Sequence, residues 1–200
     1  WIADLDALKQ AGLEPPKTWG ELTAPKWKRR LLLEDPRTST PGFAAVLTLR
    51  ELLGRQSAAF WRALRPSWLT LAPGWDEAYG LFLEGKAPLV WSYTTSEAYH
   101  RSQGSSRYRA LLLDDAGLTQ VEGAALLKGN ESEKASCFLR LLGGAHVQAQ
   151  VPEKQWMWPV LQSAAIPASF SGIPQPQHRL STTLTTEERT RILDEWRAAL

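Results

Sequence analysis

The chain has 200 residues, of which 44% are hydrophobic and 22% charged, with a net charge of +2. That length buries enough surface to hold a core without disulfide or metal staples, and the balance of charge offers no electrostatic footprint for nucleic acid. No apolar run reaches the roughly 18 residues of a membrane helix, and a lone cysteine, Cys137, excludes an internal disulfide.

The first stretch, "WIADLDALKQ", has no initiator Met, no basic leader and no apolar signal core. It reads as a mature protein cut short, or as a chain missing an earlier part. Residues 4–12 suit a short helix stopping at Gly12, and "LEPPKTW" is an extended connector. In "TWGELTAPKWK", Thr18 and Glu21 have the spacing of a capping box. The basic cluster "KWKRR" (residues 26–30) is short and reads as the solvated approach to a strand. "RRLLLED", bounded by Asp-Pro, suits a buried strand.

Next comes "EDPRTSTPGF". Thr40 is a candidate N-cap with Pro41 behind it, and a helix over "GFAAVLTLRELLG" stops at Gly54. "SAAFWRALRPS" is a second helix, "WLTLA" a strand, and "DEAYGLFLEGK" a helix with acids in its first turn. "PLVWSY" is another buried strand, and "TTSEAYHR" opens a helix directly after it. This strand–helix alternation predicts an α/β fold with a parallel sheet. "YRALLLDDAG" is a strand and turn, and Asp114-Asp115 is turn chemistry. "TQVEGAALLKG" is expected as a strand ending at Gly129-Asn130. "SEKASCFLRLLGG" is an amphipathic helix with Cys137 as a buried, inert thiol. A short helix and an extended segment run through "AHVQAQVPEKQWMWPV". The Pro-rich loop "IPASFSGIPQPQ" precedes a C-terminal helix capped by Thr185 and Glu188.

Ligands of open α/β sheets sit beyond the carboxyl ends of parallel strands. Three predicted strands exit into "DPRTSTPG", "PGWDEAYG" and "TTSEAYH". These exits offer Thr38, Ser39 and Thr40; Trp75; and Tyr93, Thr94, Thr95 and Tyr99. Each residue has a plain structural use as well: Ser39 and Thr40 as caps, Trp75 under its turn, Tyr93 as rim packing. Their convergence on one crevice is the more specific signal. Two exits open helices, whose free N–H groups bind anions. Ten tryptophans add faces for stacking flat or cationic ligands. His100, His146 and His178 lack metal-ligand spacing, and no nucleophile elbow, Walker motif or dinucleotide fingerprint is present. No metal, cofactor or catalytic residue is therefore expected.

The blocks "DPRTSTPG", "GWDEAYGLFLEGKAPLVWSYTTSEAYH" and "QWMWPV" resemble the periplasmic thiamine-binding proteins of bacterial ABC importers. "VEGAALLKGNESEKASCFLRLLGGAHVQAQ" is similar to the wider class of substrate-binding proteins. The resemblance implies a two-lobed, type II-like periplasmic binding fold whose lobes close on the ligand, here lacking most of the first lobe. Residues 1–25 would be a connector from the first lobe, 26–118 the second α/β lobe, and 119–200 a mostly helical return segment completing the first, with its strand in "TQVEGAALL". It implies ligand contacts at Ser39, Trp75, Tyr93, Tyr99 and Trp156 (Trp156 in preference to Trp158), with Thr38, Thr40, Thr94 and Thr95 as further candidates. It also implies a monomer outside the cytoplasm that hands thiamine or its phosphates to a membrane permease. Two other readings remain open: a binder of another small cation or an iron complex on the same fold, and an α/β enzyme.

Overall fold

The computed structural model describes residues 1–129, 132–176, 178–180 and 183–200, with backbone alone at 178–180. In chain order, β1 (Ile2–Asp4) runs into α1 (Leu5–Gln10). The Asp4 carboxylate accepts the N–H groups of Asp6 and Ala7 at 3.1 Å each, which caps α1. The helix expected after Thr18 is reduced to two 3₁₀ turns, Gly20–Thr23 and Pro25–Trp27. Thr18 does accept the Glu21 N–H at 3.3 Å, but Pro25 has no N–H with which to continue a helical ladder.

β2 (Leu31–Glu34), α2 (Thr40–Leu53), α3 (Ser57–Leu64), β3 (Trp68–Ala72), α4 (Trp75–Leu83), β4 (Leu89–Val90), α5 (Ser96–Ser102) and β5 (Tyr108–Ala110) follow. The strands form one sheet in the order β3-β2-β4-β1-β5. β2 is parallel to both β3 and β4, whereas β1 is antiparallel to β4 and β5. The sheet is thus mixed where the sequence predicted a parallel one. Helical crossovers join β2, β3 and β4, and crossovers enforce parallel pairing. No crossover constrains β1, which enters the sheet at the end where β2 and β4 leave it. Ile2–Asp4 are fully buried within the sheet, so the segment expected as a connector carries a central strand.

Two hydrophobic clusters flank the sheet. On one face, Leu31, Leu33, Val46, Leu49, Trp61 and Trp196 pack with Trp27. On the other, Ile2, Leu32, Ala72, Phe82 and Val90 pack under α4. Five tryptophans (1, 19, 27, 61 and 196) are buried core residues. Trp1, Trp19 and Trp91 meet as a triad with ring centroids 5.2–5.5 Å apart. Trp27 anchors the basic cluster while Lys26, Lys28 and Arg29 stay exposed, as expected for a solvated strand approach.

Beyond β6 (Ala116–Leu118) the chain departs from the sequence reading. Residues 119–127 form no strand. Instead β6 pairs in parallel with β7 (His178–Leu180) in a separate two-stranded sheet. Val121 and Leu127 are 78% and 75% exposed, with no described strand to pair against. Asn130, expected to end that strand, lies outside the described residues. α6 (Glu133–Leu142) follows, then α7 (Ala145–Gln148), α8 (Val151–Lys154) and finally α9 (Thr186–Ala198). α9 has the expected capping box, with Thr185 accepting the Glu188 N–H at 3.2 Å and Glu188 accepting the Thr185 N–H at 2.8 Å. α6 has no buried residue. Cys137 is exposed and not buried, because it lies on the open side of a helix whose Ala135, Leu139 and Leu142 are only half-covered.

Candidate functional site

The exit of β2 is built around Asp35. Its backbone oxygen accepts the N–H groups of Thr38 at 3.2 Å and Ser39 at 2.9 Å. Its carboxylate takes the Arg37 guanidinium, a hydrogen-bonded pair that holds the acid below its ordinary pKa. Ser39 is the N-cap of α2, accepting the Gly42 N–H at 3.3 Å, and Thr40 is the first helical residue. This corrects the assignment of the cap to Thr40. The reason lies in the third helical N–H, which a cap must satisfy. Were Thr40 the cap, that group would be Phe43, whose N–H already bonds the Ser39 oxygen at 3.0 Å. Gly42 brings the helix start hard against the strand, since a Cβ there would lie 2.5 Å from the Glu34 backbone oxygen.

The second exit is tied to the first by the Thr38 hydroxyl, which donates to the Pro73 carbonyl at 2.6 Å. α4 begins at Trp75 itself. The indole is half-buried, donates to Ser92 Oγ at 2.8 Å and stacks on Tyr79 at 4.7 Å and 21°. At the third exit Ser92 and Ser96 share a hydrogen bond of 3.0 Å. Tyr93 is exposed, 6.3 Å from the Trp75 ring, and donates to Gln120 Oε1 at 2.9 Å. Thr95, at the N-cap of α5, is buried, Thr94 is half-buried, and Thr40 is exposed.

Tyr99 projects from α5, 40% exposed, and meets the Trp156 ring edge-on at 5.1 Å. Trp156 follows α8 with a φ of 54°, left-handed backbone that a bulky side chain rarely adopts. Such strain persists where surroundings over-determine it; here the indole lies parallel to Phe170 at 6.4 Å. Trp158 packs edge-on against Phe170 instead, at 5.1 Å.

These side chains form one aromatic arc. Tyr93 meets Trp75, Trp75 stacks on Tyr79, Tyr79 bonds His100 at 2.8 Å, His100 meets Tyr99 at 5.2 Å, and Tyr99 meets Trp156. Tyr93 and Tyr99 are exposed, Trp75 and Trp156 half-buried, and Tyr79 and His100 in the middle buried. Burial raises the Tyr79 and Tyr93 hydroxyl pKa values and lowers that of His100, so all three rings are neutral at pH 7. Tyr79, Ser92, Ser96, His100 and Gln120 escaped the sequence reading. Ser92 lies in "PLVWSY" and Ser96 in "TTSEAYH", so a signal was available for both. Gln120 carried none. Chemically the arc offers π faces to a flat or cationic ring, and the start of α2 offers the Ser39 and Thr40 hydroxyls to an anion or alcohol, its Gly42 and Phe43 N–H groups being bonded to Ser39 and Pro41 having none.

The sequence pattern of the bacterial extracellular solute-binding proteins matches residues 2–178, and the chain belongs to that family. Its fold is the α/β fold of periplasmic binding proteins. It superposes on a periplasmic thiamin binding protein with a TM-score of 0.89 at 34% identity, covering 99% of this chain and 62% of that one. It superposes on the periplasmic binding protein AfuA of Actinobacillus pleuropneumoniae with a TM-score of 0.83 at 18% identity, a likeness of fold. The chain is 38% identical over 190 residues to the thiamine-binding periplasmic protein of Brucella melitensis, covering 92% of this chain and 57% of that protein. It is 34% identical over 204 residues to the Escherichia coli protein of the same name, covering 100% and 61%. The chain therefore spans about three fifths of the length of these relatives. Among the described residues no helix is long and apolar enough to cross a membrane.

Proposed function

We propose that this chain forms much of the ligand site of a periplasmic solute-binding protein that captures thiamine, and its phosphates, for delivery to an ABC permease. The observation that carries the reading is the aromatic arc, open at Tyr93 and Tyr99, beside a helix start that presents the Ser39 and Thr40 hydroxyls. Thiamine has a permanently cationic thiazolium, a flat aminopyrimidine and an alcohol or phosphate tail. Trp75 and Tyr93 face the first exits, and Tyr99 and Trp156 the far end, so two separate rings of the ligand find separate aromatic platforms. Each cation–π contact contributes about 0.5–2 kcal/mol. The Ser39 hydroxyl, whose hydrogen stays available while its oxygen caps Gly42, and the exposed Thr40 hydroxyl suit the tail. The names of the relatives support the same ligand. The protein acts by binding without catalysis, as a monomer, and needs no resident cofactor.

Tryptophan fluorescence tests it. Thiamine and thiamine phosphate quench saturably at micromolar concentration, which corresponds to about 8 kcal/mol, while choline does not. Trp75→Ala weakens thiamine binding about tenfold or more. Equal quenching by choline would reassign the site to cations in general. Absence of saturable quenching in the natural full-length chain would refute the thiamine reading.

A further inference from the structure

Glu34 ends β2 directly beneath the strand exits, and it is 1% exposed. Neither carboxyl oxygen has a hydrogen-bond partner among the described residues. A buried, unpartnered carboxyl is costly, so its position calls for an explanation. Leu32 packs in the cluster under α4, and so does Ala72, the register partner of Glu34 on β3. Strand alternation therefore turns Glu34 to that same face, which carries Trp75. Once ionised, Glu34 adds to the burial that already raises the Tyr93 hydroxyl.

We propose that Glu34 is the residue by which this site selects positive charge: a cationic ligand at the strand exits takes the Glu34 carboxylate as its counter-ion, and the proton Glu34 carries in the empty site is released to solvent. The proposal rests on the thiamine reading and adds to it an ionisable specificity group. The proton balance is simple. The free acid plus the cation give the ion pair and one proton, which goes to the buffer, and no covalent bond changes in the ligand.

The surroundings fit this role. Burial pushes the Glu34 carboxyl up to about 8, so it is largely protonated at pH 7. From the β4 exit it faces Tyr93, a neutral phenol. On its own strand exit, Asp35 is already neutralised by Arg37. The empty site thus has a carboxyl with no standing cationic partner among the described residues. A thiazolium stacked on the arc would supply one.

The test is calorimetry on the natural full-length chain, titrating thiamine in two buffers of different ionisation enthalpy across pH 6–9. Neutral deazathiamine, with a thiophene in place of the thiazolium, is the control ligand. Thiamine releases close to one proton per molecule bound at pH 7, and its affinity rises about tenfold per pH unit until it levels off above pH 8. Deazathiamine releases none. Glu34→Gln, checked for folding by circular dichroism, abolishes the release and narrows the preference for thiamine over deazathiamine by tenfold or more. Thiamine binding without proton release by the natural protein overturns the Glu34 assignment alone and needs no variant to show it. An unchanged preference in folded Glu34→Gln overturns it too. Failure of the natural protein to bind thiamine at all overturns the function proposed above and this assignment with it.

Discussion

At the scale of single residues, Glu34 dominates because burial shifts it so far. Its carboxyl is raised from the ordinary 4.5 to about 8 in the folded chain, mainly by desolvation. A raised carboxyl binds its proton more tightly in the folded state. Its contribution to stability is therefore full below pH 4.5 and is lost progressively as pH climbs to 8. Thermal denaturation should show stability of the ligand-free protein falling over that interval, and Glu34→Gln should flatten the slope and raise the melting temperature at pH 8. A variant less stable than the parent at pH 8 would contradict the burial described. Tyr99 gives a simpler expectation. Tyr99→Ala removes the edge-on partner of Trp156 and should weaken thiamine binding by about tenfold, read by the same fluorescence titration.

At the scale of elements, the start of α2 joins cap, close approach and ligand donors. Ser39→Ala removes the cap and should cost about 1 kcal/mol, read by chemical denaturation. Gly42→Ala should cost more, about 1–3 kcal/mol, because its new Cβ meets the Glu34 carbonyl, a backbone atom that cannot swing aside. This element was largely legible beforehand. The alternation of apolar runs and helical periods marked β2, β3, β4 and the helices after them, since burial imposes those periods. The cap was misplaced by one residue, because Ser39 and Thr40 are equally good acceptors and only the backbone decides between them. The direction of β1 was not legible. Three residues carry no mark of whether a strand runs parallel or antiparallel. Nor was the charge state of Glu34, which depends on what the fold lays over it. The aromatic arc was half legible: Trp75, Tyr93 and Tyr99 lie in recognisable strand exits, but Tyr79 and His100 join it only through the contact of α4 with α5.

At the scale of the whole molecule, the chain divides by how well its parts are buried. The five-stranded sheet has a core on both faces. Residues 121–129 are exposed throughout, without regular strand or helix. Limited trypsin digestion of the 200-residue chain should therefore cleave first after Lys128, which lies in that stretch. First cleavage within residues 31–110 would contradict the picture of a consolidated sheet. At the end of the sheet opposite the strand exits is a cavity of about 550 Å³. Lys28, Arg29, Arg30 and Lys86 line it, next to the starts of β2 and β4 and away from the aromatic arc.

The place of β1 bears on how the chain reaches this state. Ile2 pairs with Val90 on one side and with Ala110 on the other. During synthesis β1 therefore emerges long before either neighbour exists. At ribosomal rates, roughly 5–20 residues per second, some 5–20 seconds pass before β5 can close over it. Parallel pairing among β2, β3 and β4 can begin in that interval, but the gap between β4 and β5 stays open. Contacts this distant in sequence are entropically slow to form. A nascent chain of this kind would keep an edge of β1 unpaired and available to chaperones until Ala110 has been made.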